Sequence, residues 1–164
     1  MILIGLGANL DFMAGSPRVT LASALAAMAA RRIRVLKVSR FYETPAWPNP
    51  ADPAFTNAVA RVQSPLGPAS MLAALHQIES EFGRVRENRN APRTLDLDLL
   101  DYEGRIDAGA PELPHPRLAE RAFVLVPLAD VAPDWRHPVT GQGIAELIAA
   151  IPAADRAAVR PLDP

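Results

Sequence analysis

The 164-residue chain has no cysteine, which excludes disulfides and thiolate metal sites, so any bound metal must take oxygen or imidazole ligands. Hard cations such as magnesium suit that donor set. Aromatic residues make up only 5%, and no RNP1-like run is present, which argues against a module that stacks single-stranded RNA. Excess charge is also missing: 17 basic groups face 18 acidic ones, so no global basic field draws nucleic acid. Lysine is nearly absent. Sixteen of the 17 basic residues are arginine, a bias that genomic base composition accounts for, although guanidinium also suits bidentate phosphate contacts. No G-x-x-x-x-G-K-[ST] loop occurs, and the stretch Gly5-Leu6-Gly7-Ala8-Asn9-Leu10 supplies only half of a G-x-G-x-x-G, which argues against Walker and Rossmann nucleotide sites. The apolar opening, residues 1–10, lacks a basic leader and a cleavage pattern and is ended by Asn9 and Asp11. It reads as a first strand of a cytoplasmic protein with no membrane partner.

Length suits one domain over residues 1–164, with an ordinary globular composition of 49% hydrophobic and 21% charged residues. A monomer is expected. Ser16-Pro17 reads as an N-cap with proline at the first helical position, followed by an alanine-rich helix to about Arg32. The β-branched run from Ile33 to Glu43 predicts one continuous second strand, ending at Thr44-Pro45. Four prolines in residues 44–53 make a stiff loop. Residues 54–63 alternate as a third strand, with Phe55, Asn57, Val59 and Arg61 on one face. Met71, Leu75, Ile78 and Phe82 trace a helical stripe that Gly83 ends, with His76 and Glu79 beside it. The following run, Leu95-Asp96-Leu97-Asp98-Leu99, alternates as a strand that puts two carboxylates about 6.6 Å apart on one face. The order strand, helix, strand, strand, helix, strand predicts an α+β, ferredoxin-like βαββαβ core, its antiparallel sheet flanked by helices. Two C-terminal helical segments follow. The last dozen residues show no obvious partner.

Charge is concentrated locally. Arg84, Arg86, Arg89 and Arg93 precede Asp96, Asp98 and Asp101, and a metal held by carboxylates beside arginines is a juxtaposition suited to phosphoryl transfer. Scattered surface ion pairs would contribute little. Read together, "GLGANL", "SRFYETPAW", "DPAFTNAV", "IESEFGRVR", "APRTLDLDLL" and "LPHPRLAERAFVLVPLADVAP" resemble the 6-hydroxymethyl-7,8-dihydropterin pyrophosphokinases of folate synthesis. The motifs run in family order across residues 2–138.

The resemblance implies transfer of the β,γ-pyrophosphoryl unit of ATP, the co-substrate, to the hydroxymethyl group of the reduced pterin, with AMP released. It implies two magnesium ions on Asp96 and Asp98, and ATP phosphates on Arg84, Arg86, Arg89 and Arg93, with Arg89 and Arg93 acting in catalysis beside the aspartates. His115 and Arg121 would also meet the triphosphate, and Glu79 with His76 would meet the rest of the nucleotide. Phe55 and Phe123 would sandwich the pterin, Asn57 would read its edge, and Thr44, Pro45 and Trp47 would line its pocket. The chain departs from the family pattern where Arg89-Asn90-Ala91-Pro92-Arg93 lacks a tryptophan and a glycine. Its arginine loop is shorter by one residue, and His76, Phe55, Ala110 and Glu112 replace commoner residues. These departures bear on lid closure and ATP affinity. Two alternatives are a binding paralogue without turnover and a ferredoxin-like nucleic-acid module.

Overall fold

The computed structural model describes residues 1–13, 15–47, 49–84 and 92–163. Strand β1 (Ile2–Ala8) runs at the centre of an antiparallel sheet, between β4 (Phe55–Gln63) and β5 (Asp96–Tyr102). The far side of β4 carries β2 (Arg34–Val38) and β3 (Tyr42–Thr44), one after the other. Counting β2 and β3 as one edge gives the ferredoxin-like strand order 4-1-3-2, as expected. Alternation on β4 and β5 sorts side chains as the sequence requires. Ala58, Ala60, Val62, Leu95, Leu97 and Leu99 pack beneath helices α1 (Pro17–Ala29) and α2 (Pro68–Glu81), with Met71, Leu75 and Ile78 from the α2 stripe. Gly83 takes φ +73° just beyond α2, where a Cβ would lie 2.6 Å from the Phe12 ring.

The opposite sheet face is covered by the C-terminal helices α3 (Ala122–Val131) and α4 (Ile144–Ala150). Leu3, Val59 and Leu100 are buried there against Leu125, Leu128 and Leu147. This is the face on which a ferredoxin-like RNA binder would need open aromatics. Among the described residues, no helix is long and apolar enough to cross a membrane.

Two expectations need correction. The second strand is not continuous: Ser39 interrupts it, donating its N–H to Val59 O (2.9 Å) and accepting Val59 N–H on its hydroxyl (3.0 Å), so a side chain replaces a ladder carbonyl at the break. A register shift between Val35 and Lys37 has already bent β2. The last dozen residues do find a partner. After the short helix α5 (Ala153–Ala157), Arg160–Pro161 forms β6 on the free edge of β3, and Leu162 N–H donates to Phe41 O (2.8 Å). A proline is tolerated there because an edge strand has an outward side that needs no donor.

Candidate active site

Between the sheet and α3 lies a cavity of about 450 Å³. Gly5 and Gly7 of β1 form part of its floor. A Cβ on Gly7 would stand 3.1 Å from Asn57 Oδ1 and close to Phe55 and Asp96, so the missing side chain is what keeps that floor open. Half of a dinucleotide motif is thus a strand surface cleared for a ligand.

Asp96 and Asp98 project from β5 into this cavity, opposite in face to the buried leucines between them. Arg93 Nη1 donates to Asp96 Oδ2 (2.8 Å), and Arg84 Nη1 bridges Asp96 to Glu79. Arg121 approaches Asp98 at 3.8 Å. Burial first, and then the neighbouring Asp96 charge, push Asp98 up to about 6, against the pull of Arg121. Burial opposes the charge on Arg84 too, yet Asp96 and Glu79 raise its pKa. Among the described residues, no third acidic or imidazole side chain joins the pair to make a closed metal cage. The donor set nevertheless fits magnesium, which keeps several waters and takes one or two carboxylates plus phosphate oxygens.

The other half of the cavity is apolar and aromatic. Thr44, Pro45, Trp47, Phe55, Asn57 and Phe123 all line it. Asn57 is buried and donates from Nδ2 to Thr44 Oγ1 (2.8 Å), tying β4 to the end of β3 and turning its carbonyl over Gly7. Arg93 lies over the Phe55 ring (5.9 Å) and Arg121 over the Phe123 ring (5.5 Å), so guanidinium groups already pair with the aromatic faces. Four expected residues stand off the cavity wall. Glu79 is only 1% exposed and its Oε1 accepts Leu97 N–H (2.8 Å), so its helix position is not a solvent face. Arg84 connects Glu79 to the carboxylate pair. His76 is half-buried on α2. His115 accepts Arg117 N–H on Nδ1 (3.1 Å), and burial with nearby Arg121 lowers its pKa, leaving a neutral ring that keeps its proton on Nε2. Arg86, Arg89 and Asn90 lie outside the described residues.

The family model for 7,8-dihydro-6-hydroxymethylpterin-pyrophosphokinase (HPPK) matches residues 3–133. The chain belongs to this family. It is 43% identical over 154 residues to the 2-amino-4-hydroxy-6-hydroxymethyldihydropteridine pyrophosphokinase of Pseudomonas aeruginosa, covering 92% of this chain and 91% of that protein. Identity to the Synechocystis protein of the same name is 38% over 164 residues, covering 99% and 80%. The folic acid synthesis protein fol1 of Pneumocystis carinii is 41% identical over 145 residues, and the chain spans 88% of itself but only 19% of that larger protein. A solved Plasmodium falciparum HPPK-DHPS structure with pteroate superposes with a TM-score of 0.68 at 15% identity, over 90% of this chain and 41% of that one. That likeness shows the fold.

Several site residues of this HPPK-family chain escape sequence reading. Asn9, just after β1, is buried and accepts Arg93 N–H on Oδ1 (2.8 Å), while its N–H donates to Arg93 O (3.1 Å) and its Nδ2 to Pro53 O (3.0 Å). It pins both the arginine and the proline-rich loop to the central strand. Its one signal is a polar residue closing an apolar run. Asp101, grouped with the charge cluster in the sequence, is instead buried, accepting Trp135 Nε1–H (2.7 Å) and Gly104 N–H (2.8 Å). By alternation alone Asp101 would share the face of Leu97 and Leu99; the register shift opposite Leu3 and Ile4 turns it to the other face, where it meets Trp135 at the far end of β5. Asp155, Ala158 and Val159 also line the cavity, carried there by the β6 pairing.

Proposed function

We propose that residues 1–164 act as one pyrophosphokinase domain, transferring pyrophosphate from ATP to 6-hydroxymethyl-7,8-dihydropterin in folate biosynthesis. The observation that carries this reading is one cavity with two chemistries: a carboxylate pair flanked by arginines, and beside it an aromatic slot with a buried amide. The hydroxymethyl oxygen attacks the β-phosphorus, the bond to the oxygen bridging α- and β-phosphorus breaks, and AMP leaves. Asp96 and Asp98 would hold magnesium, which when bound neutralises phosphate charge. Arg93 and Arg121 then meet the phosphate oxygens, held ready by their carboxylate partners. Most of the acceleration comes from such positioning and charge stabilisation. The Phe55 and Phe123 rings take the flat heterocycle, and the Asn57 carbonyl accepts from its edge N–H groups.

Support for turnover over mere binding comes from the intact carboxylate pair and from Arg93, fixed at backbone and side chain alike. Release of AMP from ATP that requires both the pterin and magnesium tests the reading directly. ATP consumption without the pterin, or binding of both without AMP, overturns it.

Asn57→Ala is expected to weaken pterin binding by about tenfold or more, and ATP binding hardly at all, because a ring edge loses a partner that packing cannot replace. Calorimetric titration with each ligand checks this, and equal losses would make Asn57 a structural brace between β3 and β4.

Magnesium binding carries a pH signature. A carboxyl raised to about 6 contributes stability that is fully present below its unfolded pKa and lost as pH rises through about 6. At neutral pH the Asp98 charge therefore works against the metal-free fold, and a cation beside it relieves the cost. At ten times its pH 7.5 Kd, magnesium should raise Tm by roughly 3–5 °C at pH 7.5 and by only about a quarter as much at pH 5. An equal shift at both pH values would detach the metal from Asp98.

A further inference from the structure

Trp47 is 67% exposed, an unusual placement for an indole, and it sits on the cavity wall in the loop that follows β3. Arg117, which lines the same cavity from the turn before Leu118–Glu120, holds its guanidinium carbon 5.9 Å from the centre of that ring. We propose that Arg117 is a positioning residue that bridges to Trp47 over the cavity mouth and retains the pterin. This rests on reading the aromatic half of the cavity as the pterin site.

The base of Arg117 is fixed while its tip is not. Its N–H donates to His115 Nδ1 (3.1 Å), and His115 N–H donates to Leu100 O (2.8 Å), so the residue is tied to β5. The guanidinium has a second partner, Glu120, 3.9 Å away on its own segment, with both side chains at least half exposed. Such an ion pair is weak, and so is a cation–π contact in water. Neither holds the side chain firmly, which leaves the mouth able to open. A flat ligand seated under the indole removes water from the ring, and the cation–π contact strengthens as it is desolvated. The bridge therefore tightens after the ligand has arrived and slows its departure. The phosphate end is served by Arg93, paired with Asp96, and Arg121, paired with Asp98, whereas the partner of Arg117 is Glu120.

The test is calorimetric titration of 6-hydroxymethyl-7,8-dihydropterin into the full chain saturated with magnesium and a non-hydrolysable ATP analogue, alongside steady-state KM for both substrates. Arg117→Ala should raise the pterin Kd and KM about tenfold and leave the ATP KM unchanged. Arg117→Lys should recover part of the loss, since it keeps the cation. Trp47→Ala should weaken pterin binding similarly, and the double variant should be no worse than the weaker single one, because each change removes the same bridge. Wild-type pterin affinity in Arg117→Ala, an equal rise in the ATP KM, or additive losses in the double variant would each overturn the bridge. Failure of the wild-type chain to bind the pterin would instead overturn the reading of the cavity.

Discussion

Asp98→Asn is expected to lower AMP release by about three orders of magnitude while leaving the metal-free protein as stable as before, or slightly more so. The asymmetry follows from its surroundings. Its carboxyl is pushed up to about 6 by burial and by Asp96, and its arginine partner stands 3.8 Å away. Replacing it removes a charge that the fold tolerates poorly, together with a ligand that a hard cation needs. Asp96→Asn should be comparably inactive but also less stable, because Asp96 anchors both Arg84 and Arg93. Coupled measurement of AMP and of thermal unfolding with and without magnesium separates the two. An Asp98→Asn enzyme with near wild-type turnover, or one that still gains stability from magnesium at neutral pH, would remove Asp98 from the metal site.

That contrast also marks what the sequence could reveal. The two-residue spacing of Asp96 and Asp98, interleaved with leucines, places both carboxylates on one strand face by period alone, and the leucines are indeed buried beneath α1 and α2. The same period sorts Phe55, Asn57 and Val59 to the cavity side of β4. Local pattern ends there. Nothing in the run 33–43 reports that Ser39 will donate and accept across to Val59, because the break depends on a partner strand far along the chain. The edge role of Arg160–Pro161 is equally non-local, since two residues carry no periodicity. Asn9 shows the same limit from the other direction: its polarity was visible, but its three contacts to Arg93 and Pro53 exist only once β1, the proline-rich loop and the residues before β5 have met. Alternation by itself takes Asp101 off the face of Asp96 and Asp98, and only the register shift in β5, which local pattern does not report, turns it back toward Trp135.

Glu79→Ala should cost about 3 kcal/mol of stability, which for a domain of this size lowers Tm by roughly 6–12 °C. The resemblance to the family gives Glu79 a nucleotide contact, yet the side chain is 1% exposed and its Oε1 is held by Leu97 N–H and Arg84. Truncation leaves the Leu97 N–H buried without this acceptor and strips a counter-charge from Arg84, which is itself mostly buried. Asp96 still pairs with Arg84, and this keeps the loss at the lower end of what breaking a buried ion pair costs. Glu79→Gln retains an acceptor for Leu97 and should lose only about half as much. Because Arg84 also reaches Asp96, both variants should slow turnover by shifting that guanidinium relative to the carboxylate pair. Thermal unfolding and the ATP KM, measured on both variants, decide between scaffold and ligand contact. A Glu79→Ala enzyme with wild-type Tm and a raised ATP KM would make Glu79 a nucleotide contact alone, and the buried bridge from α2 to β5 would then contribute little to the fold.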